Sequence, residues 1–177
     1  VAIIVPTIRQ DFWYLKLLRG DDTREQVLAW LVKEASPGSL IVWDVADTYL
    51  YNNHPGLEYQ LANNPTGLNT RDRYLLSLPA NQLPQPNYFV VHGVGVPVPQ
   101  TDHFPKLARY QIFSYFNQEE RREKAKLLPD TAKPRAIFVP TNQLEAIPDA
   151  LGEPAPAGVL RQLKSLGPFV EIYQLSS

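Results

Sequence analysis

Apolar residues first recur at helical spacing at Val27, Leu28, Leu31 and Ala35, which makes one stripe along a helix of 3.6 residues per turn. Asp22 or Thr23 stands where that helix needs its N-cap, and Glu25 follows Asp22 at close to a capping-box spacing. Pro37-Gly38 then stops the helix and turns the chain. Leu40–Val45 is a short unbroken apolar run, the pattern of a strand covered on both faces. Helix, tight turn and buried strand form half of a parallel α/β repeat.

Further along, the pattern is less regular. Tyr49–Leu61 is aromatic and Asn-rich, and one reading is a helix interrupted at His54-Pro55-Gly56. Asn63-Asn64-Pro65-Thr66-Gly67 reads as a loop, Arg73–Leu78 as a short strand and Asn81–Pro86 as a Pro-bounded connection. Tyr88–His92 is a second buried strand. A helix is predicted over about Phe104–Phe116, with Leu107, Tyr110 and Phe113 or Ser114 facing inward. Gln118–Lys126 is highly charged with nearly balanced signs, the composition of a solvated helix face. Arg135–Val139 reads as a third strand. Val159, Leu160, Leu163 and Leu166 have helical spacing, and Gly167-Pro168 closes that helix. Phe169–Leu175 is the last strand. The whole predicts an α/β fold: a small three-layer Rossmann-like sandwich with a mostly parallel sheet, occupying residues 21–177 as one domain.

Composition adds limits. A chain of 177 residues suffices for one domain with a real core. The net charge of −1 gives no global field to recruit nucleic acid or an anionic membrane. With no Cys there is no disulfide, no thiolate nucleophile and no Cys-ligated metal. There is no Met either, not even at position 1, which suggests a piece of a longer protein. No stretch reaches the roughly 18–20 apolar residues of a membrane span. Val1–Ile8 is nonetheless apolar, and Phe12-Trp13-Tyr14-Leu15 sits beside Arg9, Lys16 and Arg19. Aromatics with basic residues are typical where a membrane helix leaves the bilayer; the competing reading is a first strand and an ordinary loop. Residues 1–20 are accordingly set apart as a juxtamembrane segment. They lack the basic leader and cleavage site of a signal peptide.

Candidate chemistry is sparse. Gly93-Val94-Gly95 follows a strand, but an extended Val96-Pro97-Val98-Pro99 replaces the helix that a phosphate-binding loop requires, and a third glycine is missing. There is therefore no nucleotide fingerprint. Asp44 and Asp47 lie at the end of the first strand, where open α/β sheets bind ligands. They suit metal ligation or acid/base work, although capping and turn formation account for them more simply. His54, His92 and His103 are the only imidazoles, and none has a partner at metal-ligand spacing. Tyr49, Tyr51, Asn52, Asn53, His54, Tyr59, Asn63 and Asn64 form a polar-aromatic group that suits sugar faces and hydroxyls, and equally a loop packed on a sheet edge. The ligand-contact candidates are Asp44, Asp47, Tyr51, Asn52 and His54; no catalytic, metal or cofactor-binding residue is assigned.

Three phrases carry a resemblance: Asp22-Thr23-Arg24 with Ala29-Trp30-Leu31 and Pro37-Gly38-Ser39; Pro86-Asn87-Tyr88-Phe89-Val90-Val91; and Gly167-Pro168-Phe169-Val170-Glu171-Ile172-Tyr173-Gln174-Leu175. In this order they resemble the C-terminal soluble domain of bacterial multi-pass GT-C glycosyltransferases, related to dolichyl-phosphate-mannose protein mannosyltransferases. Asn87 stands where Asp is more usual, and Ala108–Pro156 matches no phrase. The resemblance implies a Rossmann-like domain on the extracytoplasmic, periplasmic side of the inner membrane. Its partner would be the membrane-embedded remainder of the same chain. A polyprenyl-phosphate sugar would be the donor, and the domain would contact acceptor glycan or cover the active site. Catalysis in that family uses acidic residues in loops between membrane helices, which this chain does not contain, so no catalytic residue is carried over. The alternatives are a free-standing soluble α/β enzyme using Asp44, Asp47 and His92, or a partner-binding module.

Overall fold

The structure, a computed structural model, describes residues 12, 15–64, 66–93, 109–141 and 162–175. Helix α1 (Thr23–Glu34) starts where Asp22, in an extended conformation, accepts a hydrogen bond from the Arg24 backbone N–H. Its stripe behaves as the spacing predicts: Val27, Leu31 and Ala35 are buried and Leu28 is partly so. Gly38 turns the chain at φ +82°, a left-handed value that glycine adopts without steric cost. The Gly38 N–H donates to Asn87 O at 2.9 Å, so the turn is fixed to the entry of another strand.

Strand β1 (Leu40–Asp44) follows, then α2 (His54–Asn63), α3 (Thr70–Ser77), a 3-10 turn (Ala80–Gln82), β2 (Phe89–His92), β3 (Arg109–Tyr115), α4 (Gln118–Ala125), β4 (Lys133–Phe138) and β5 (Phe169–Leu175). The strands form one sheet in the order β2-β1-β3-β5-β4. β1 is parallel to both its neighbours, in a register that pairs Leu40 with Phe89 and with Arg109. β5 is antiparallel to β3 and to β4. The fold is thus α/β with a mixed sheet, parallel in its β2-β1-β3 part.

Alternate residues of the strands pack into different clusters. Ile41, Trp43, Val90, Tyr110, Ile112, Val170 and Ile172 meet the α1 stripe. Leu40, Val42, Phe89 and Val91 meet Tyr59 of α2 instead. Both faces of the central strands are therefore covered, which is why they read as continuous apolar runs. Each fully buried Leu, Ile or Phe side chain contributes roughly 1.5–3 kcal/mol.

Four expectations need correction. Of Arg73–Leu78, residues 73–77 belong to helix α3 and Leu78 is its C-cap, so the segment is not a strand. Asn69 caps that helix through the Asp72 N–H, and Leu75 alone of its apolar residues is buried. Of the helix expected over Phe104–Phe116, residues 109–115 are strand β3, while 104–108 lie outside the described residues. Tyr110 and Ile112 face one cluster and Phe113 and Tyr115 another, so two buried faces hid the period of two. His54-Pro55-Gly56 begins α2 rather than interrupting it: Asn53 caps the Gly56 N–H, and Pro55 occupies the first turn, where its missing N–H costs nothing. The helix expected over Gly158–Leu166 is not helical where described; Leu163 makes an isolated bridge to Thr141.

Gly167 therefore caps no helix. It has φ +94°, and an added Cβ would collide with Asp22 and Thr23. The Thr23 hydroxyl donates to Pro168 O at 2.7 Å, and its N–H donates to Leu166 O at 2.9 Å. The start of α1 and the entry to β5 are locked together across the length of the chain.

Candidate functional site

β2, β1 and β3 run parallel, and the chain passes from one side of β1 to the other between β2 and β3. Crevices form at the carboxyl ends of strands where connections diverge in this way. Here a cleft of about 230 Å³ opens there. β1 contributes Asp44, β2 His92, β3 Ser114 and the helix after β3 contributes Glu120 and Lys124, with Phe116 on the wall.

α4 reaches the cleft because it starts directly after β3. Asn117 caps the Glu120 N–H at 2.8 Å, and Glu120 Oε2 accepts from the Phe116 N–H at 2.9 Å. One turn later Lys124 Nζ lies 2.8 Å from Asp44 Oδ2 and 3.1 Å from Glu120 Oε1, and it donates to Ser114 O at 2.7 Å. Burial alone would lower the Lys124 pKa, but its hydrogen bonds to Asp44 and Glu120 and their charges outweigh it, so the ammonium is held above its usual range. The Ser114 hydroxyl donates to Asp44 O at 3.3 Å and accepts from the Ala46 N–H at 3.1 Å. Trp43 Nε1 donates to Thr48 O at 3.2 Å. Asp44, Ser114, Glu120 and Lys124 bond one another, with a lysine at the centre rather than a cation-accepting set of carboxylates. Among the described residues no group of three His, Asp or Glu is arranged to hold a metal ion.

His92 is exposed at the strand end, yet the walls displace part of its hydration and lower its pKa. Asp72 and Asp44 oppose that shift through their charges. Asp72 is itself buried and accepts from the Tyr49 hydroxyl at 2.5 Å. Burial and that carboxylate push the Tyr49 hydroxyl well above its ordinary range, and the Arg71 guanidinium lies 4.4 Å above its ring.

The sequence candidates separate. Asp44 lines the cleft. Asp47 does not: it occupies the left-handed region at φ 55°, which Asp tolerates better than most residues, and its carboxylate is 3.7 Å from Arg24. Its role is the turn. Tyr51 is exposed and meets Tyr49 edge-on at 5.5 Å. Asn52 is buried, donating to Val90 O at 3.2 Å and accepting from the Val90 N–H at 2.9 Å. His54 opens α2, with a buried Nε2 that has no hydrogen-bond partner. None of Tyr51, Asn52 or His54 lines the cleft. His103, Val94 and Gly95 lie outside the described residues.

Sequence reasoning missed Lys124, Glu120 and Ser114. A signal was present: Asn117-x-x-Glu120 is a capping pattern immediately after a strand, and Glu120–Lys124 is an i,i+4 pair. A second buried ionic group went unnoticed on β5. Glu171, 1% exposed, accepts from Arg121 Nε at 2.6 Å, from the Tyr173 hydroxyl at 2.6 Å and from the Tyr115 hydroxyl at 2.8 Å. Burial would raise its carboxyl, but these three donors hold it below the usual range. The Tyr173 hydroxyl is pushed up to about 12, by burial and by Glu171.

Comparison with protein families, characterised proteins and solved structures gives no match. Among the described residues no helix is long and apolar enough to cross a membrane.

Proposed function

We propose that this chain is a non-catalytic, extracytoplasmic domain of a membrane-bound glycosyltransferase that uses a polyprenyl-phosphate sugar. Its layering is Rossmann-like, with helices on both faces of the sheet. Its partner is the membrane-embedded part of the same protein, and its cleft faces acceptor sugar or shields the active site. The observation that carries this reading is the mutual contact of the three phrases behind the resemblance. Thr23 of the first bonds Pro168 of the last at 2.7 Å. Gly38 of the first bonds Asn87 of the second, and the Phe89 N–H donates to Ser39 O, both at 2.9 Å. These contacts put the three phrases in one frame, as the resemblance requires.

The cleft supports the absence of catalysis in the domain itself. Lys124 is occupied by three acceptors and Asp44 Oδ2 by Lys124, so neither is poised as an unpartnered base or nucleophile. One observation favours the second reading, a free-standing enzyme: Asp44 and His92 do share the cleft, and the His92 pKa is shifted. Kinetics on the full-length protein separate the two. With Asp44→Asn or His92→Gln, the first reading expects sugar transfer with kcat within about threefold of wild type. A wild-type protein with no sugar transfer at all removes the first reading, and a loss of about a hundredfold or more in kcat in either variant, the scale of a lost acid or base, removes the non-catalytic role of the cleft.

A further inference from the structure

We propose that helix α4 is a flap over the cleft: it pivots on Arg121 while Lys124 lets go of Asp44, and the released carboxylate joins the open cleft. α4 has eight residues and none of its side chains is buried. A helix that short is marginal in water on its own, so docking to the sheet holds it in place. Two cations make that docking, in opposite directions. α4 follows β3, the middle strand of β1-β3-β5. Lys124 reaches one way to Asp44 on β1 at 2.8 Å, and Arg121 reaches the other way to Glu171 on β5 at 2.6 Å. On the two flanks, Phe116 and Leu128 are only partly buried against the ring cluster. Few buried apolar contacts, with attachment through polar groups, mark a segment that opens locally.

The two attachments are unequal. Glu171 is 1% exposed and holds two tyrosyl hydroxyls besides Arg121, and the Arg121 guanidinium lies 5.9 Å over the Tyr115 ring. Withdrawing Arg121 strands a buried charge, the costly way to break such a pair. Lys124 loses less. Of its three acceptors, Glu120 sits on α4 itself and travels with it. The Asp44 side chain is 35% exposed, and Ser114 also lines the cleft, so both exchange the ammonium for water. A half-exposed pair is worth far less than a buried one. The Lys124 arm is therefore the latch and the Arg121 arm the pivot. Release alters the cleft because Glu120 and Lys124 are part of its wall. Once they swing out, the cleft widens and Asp44 Oδ2 is free to accept a hydrogen bond from a ligand. The inference rests on the reading of the cleft as a site and concerns only how that site opens.

Carboxyl footprinting of the full chain tests it: carbodiimide coupling of glycine ethyl ester, mapped by mass spectrometry, with the exposed Asp130 as internal standard. Raising NaCl from about 0.05 M to about 1 M weakens the latch by screening, and coupling at Asp44 relative to Asp130 is expected to rise about threefold while Glu171 stays uncoupled. Lys124→Met is expected to bring Asp44 to the high-salt level at every salt concentration, and to speed amide exchange over residues 120–126 while β3 exchanges at the wild-type rate. The inference is overturned if salt leaves Asp44 coupling in the wild type unchanged. It is equally overturned if Asp44 and Glu171 rise together, which means that the whole helix leaves, or if Lys124→Met exchanges over residues 120–126 as slowly as the wild type. Should that variant fail to fold, the wild-type salt series decides alone. Failure here removes the flap and leaves the role of the cleft standing, since that role is tested by kinetics on the full-length protein.

Discussion

Thr23 and Gly167 join the two ends of the domain. Because Gly167 sits at φ +94° with no room for a Cβ between Asp22 and Thr23, Gly167→Ala combines left-handed strain with a clash, and a loss of about 2–4 kcal/mol is expected in denaturant unfolding. Thr23→Val keeps the shape but leaves the buried Pro168 carbonyl without its donor, a smaller loss of about 1–2 kcal/mol. Equal small effects from both would mean that the contact does not fix the frame. Glu171 makes a pH-dependent contribution. Its folded carboxyl titrates below the ordinary value of 4.5, so at acid pH the unfolded chain takes up a proton that the folded chain resists. Stability from this group is complete above the unfolded value and is lost as pH falls through the lower, folded one. In Glu171→Gln, thermal melts are expected to show lower stability at pH 7, by about 1–3 kcal/mol, and a flatter acid limb. An acid limb unchanged by the substitution would remove Glu171 from the account.

Among the elements, α2 shows how residues of one type divide their work. Asn53 is its N-cap and stands partly in water, so Asn53→Ala is expected to cost about 1 kcal/mol. Asn52 is 3% exposed and completes both backbone groups of Val90. Asn52→Ala strands a buried N–H and a buried C=O, so a loss of about 2–4 kcal/mol is expected. Equilibrium unfolding of the two variants side by side checks the order. What was legible here followed from local chemistry. α1, its Pro-Gly stop and β1 were readable because cap, stripe and turn all lie within about 20 residues. β3 and α3 were not. β3 is buried on both faces, which erases its alternation, and α3 presents a Tyr-Leu-Leu run whose single buried Leu75 gives no stripe. β5 was visible as a strand, but its antiparallel place between β3 and β4 depends on partners far away in the chain.

For the molecule as a whole, the cleft was half legible. Asp44 and His92 could be placed at strand ends from apolar runs alone, whereas Asp47, three residues after Asp44, reads the same in sequence and faces Arg24 instead. Lys124 was hidden because a charged helix normally points at water, and only the adjacency of α4 to β3 turns it inward. Lys124→Met therefore tests the join between α4 and the sheet. It leaves Asp44 and Ser114 O without their shared donor, and earlier proteolysis of the 116–128 region is expected, read by limited digestion and mass spectrometry. A digestion pattern identical to wild type would show that Lys124 does not hold the helix. The proposed glycosyltransferase reading rests on the resemblance of the three phrases, and the native reading frame upstream of Val1 tests it most directly. The expected result is a series of eight or more apolar spans of about 20 residues each ahead of this domain; a start codon within a few residues of Val1 would contradict it.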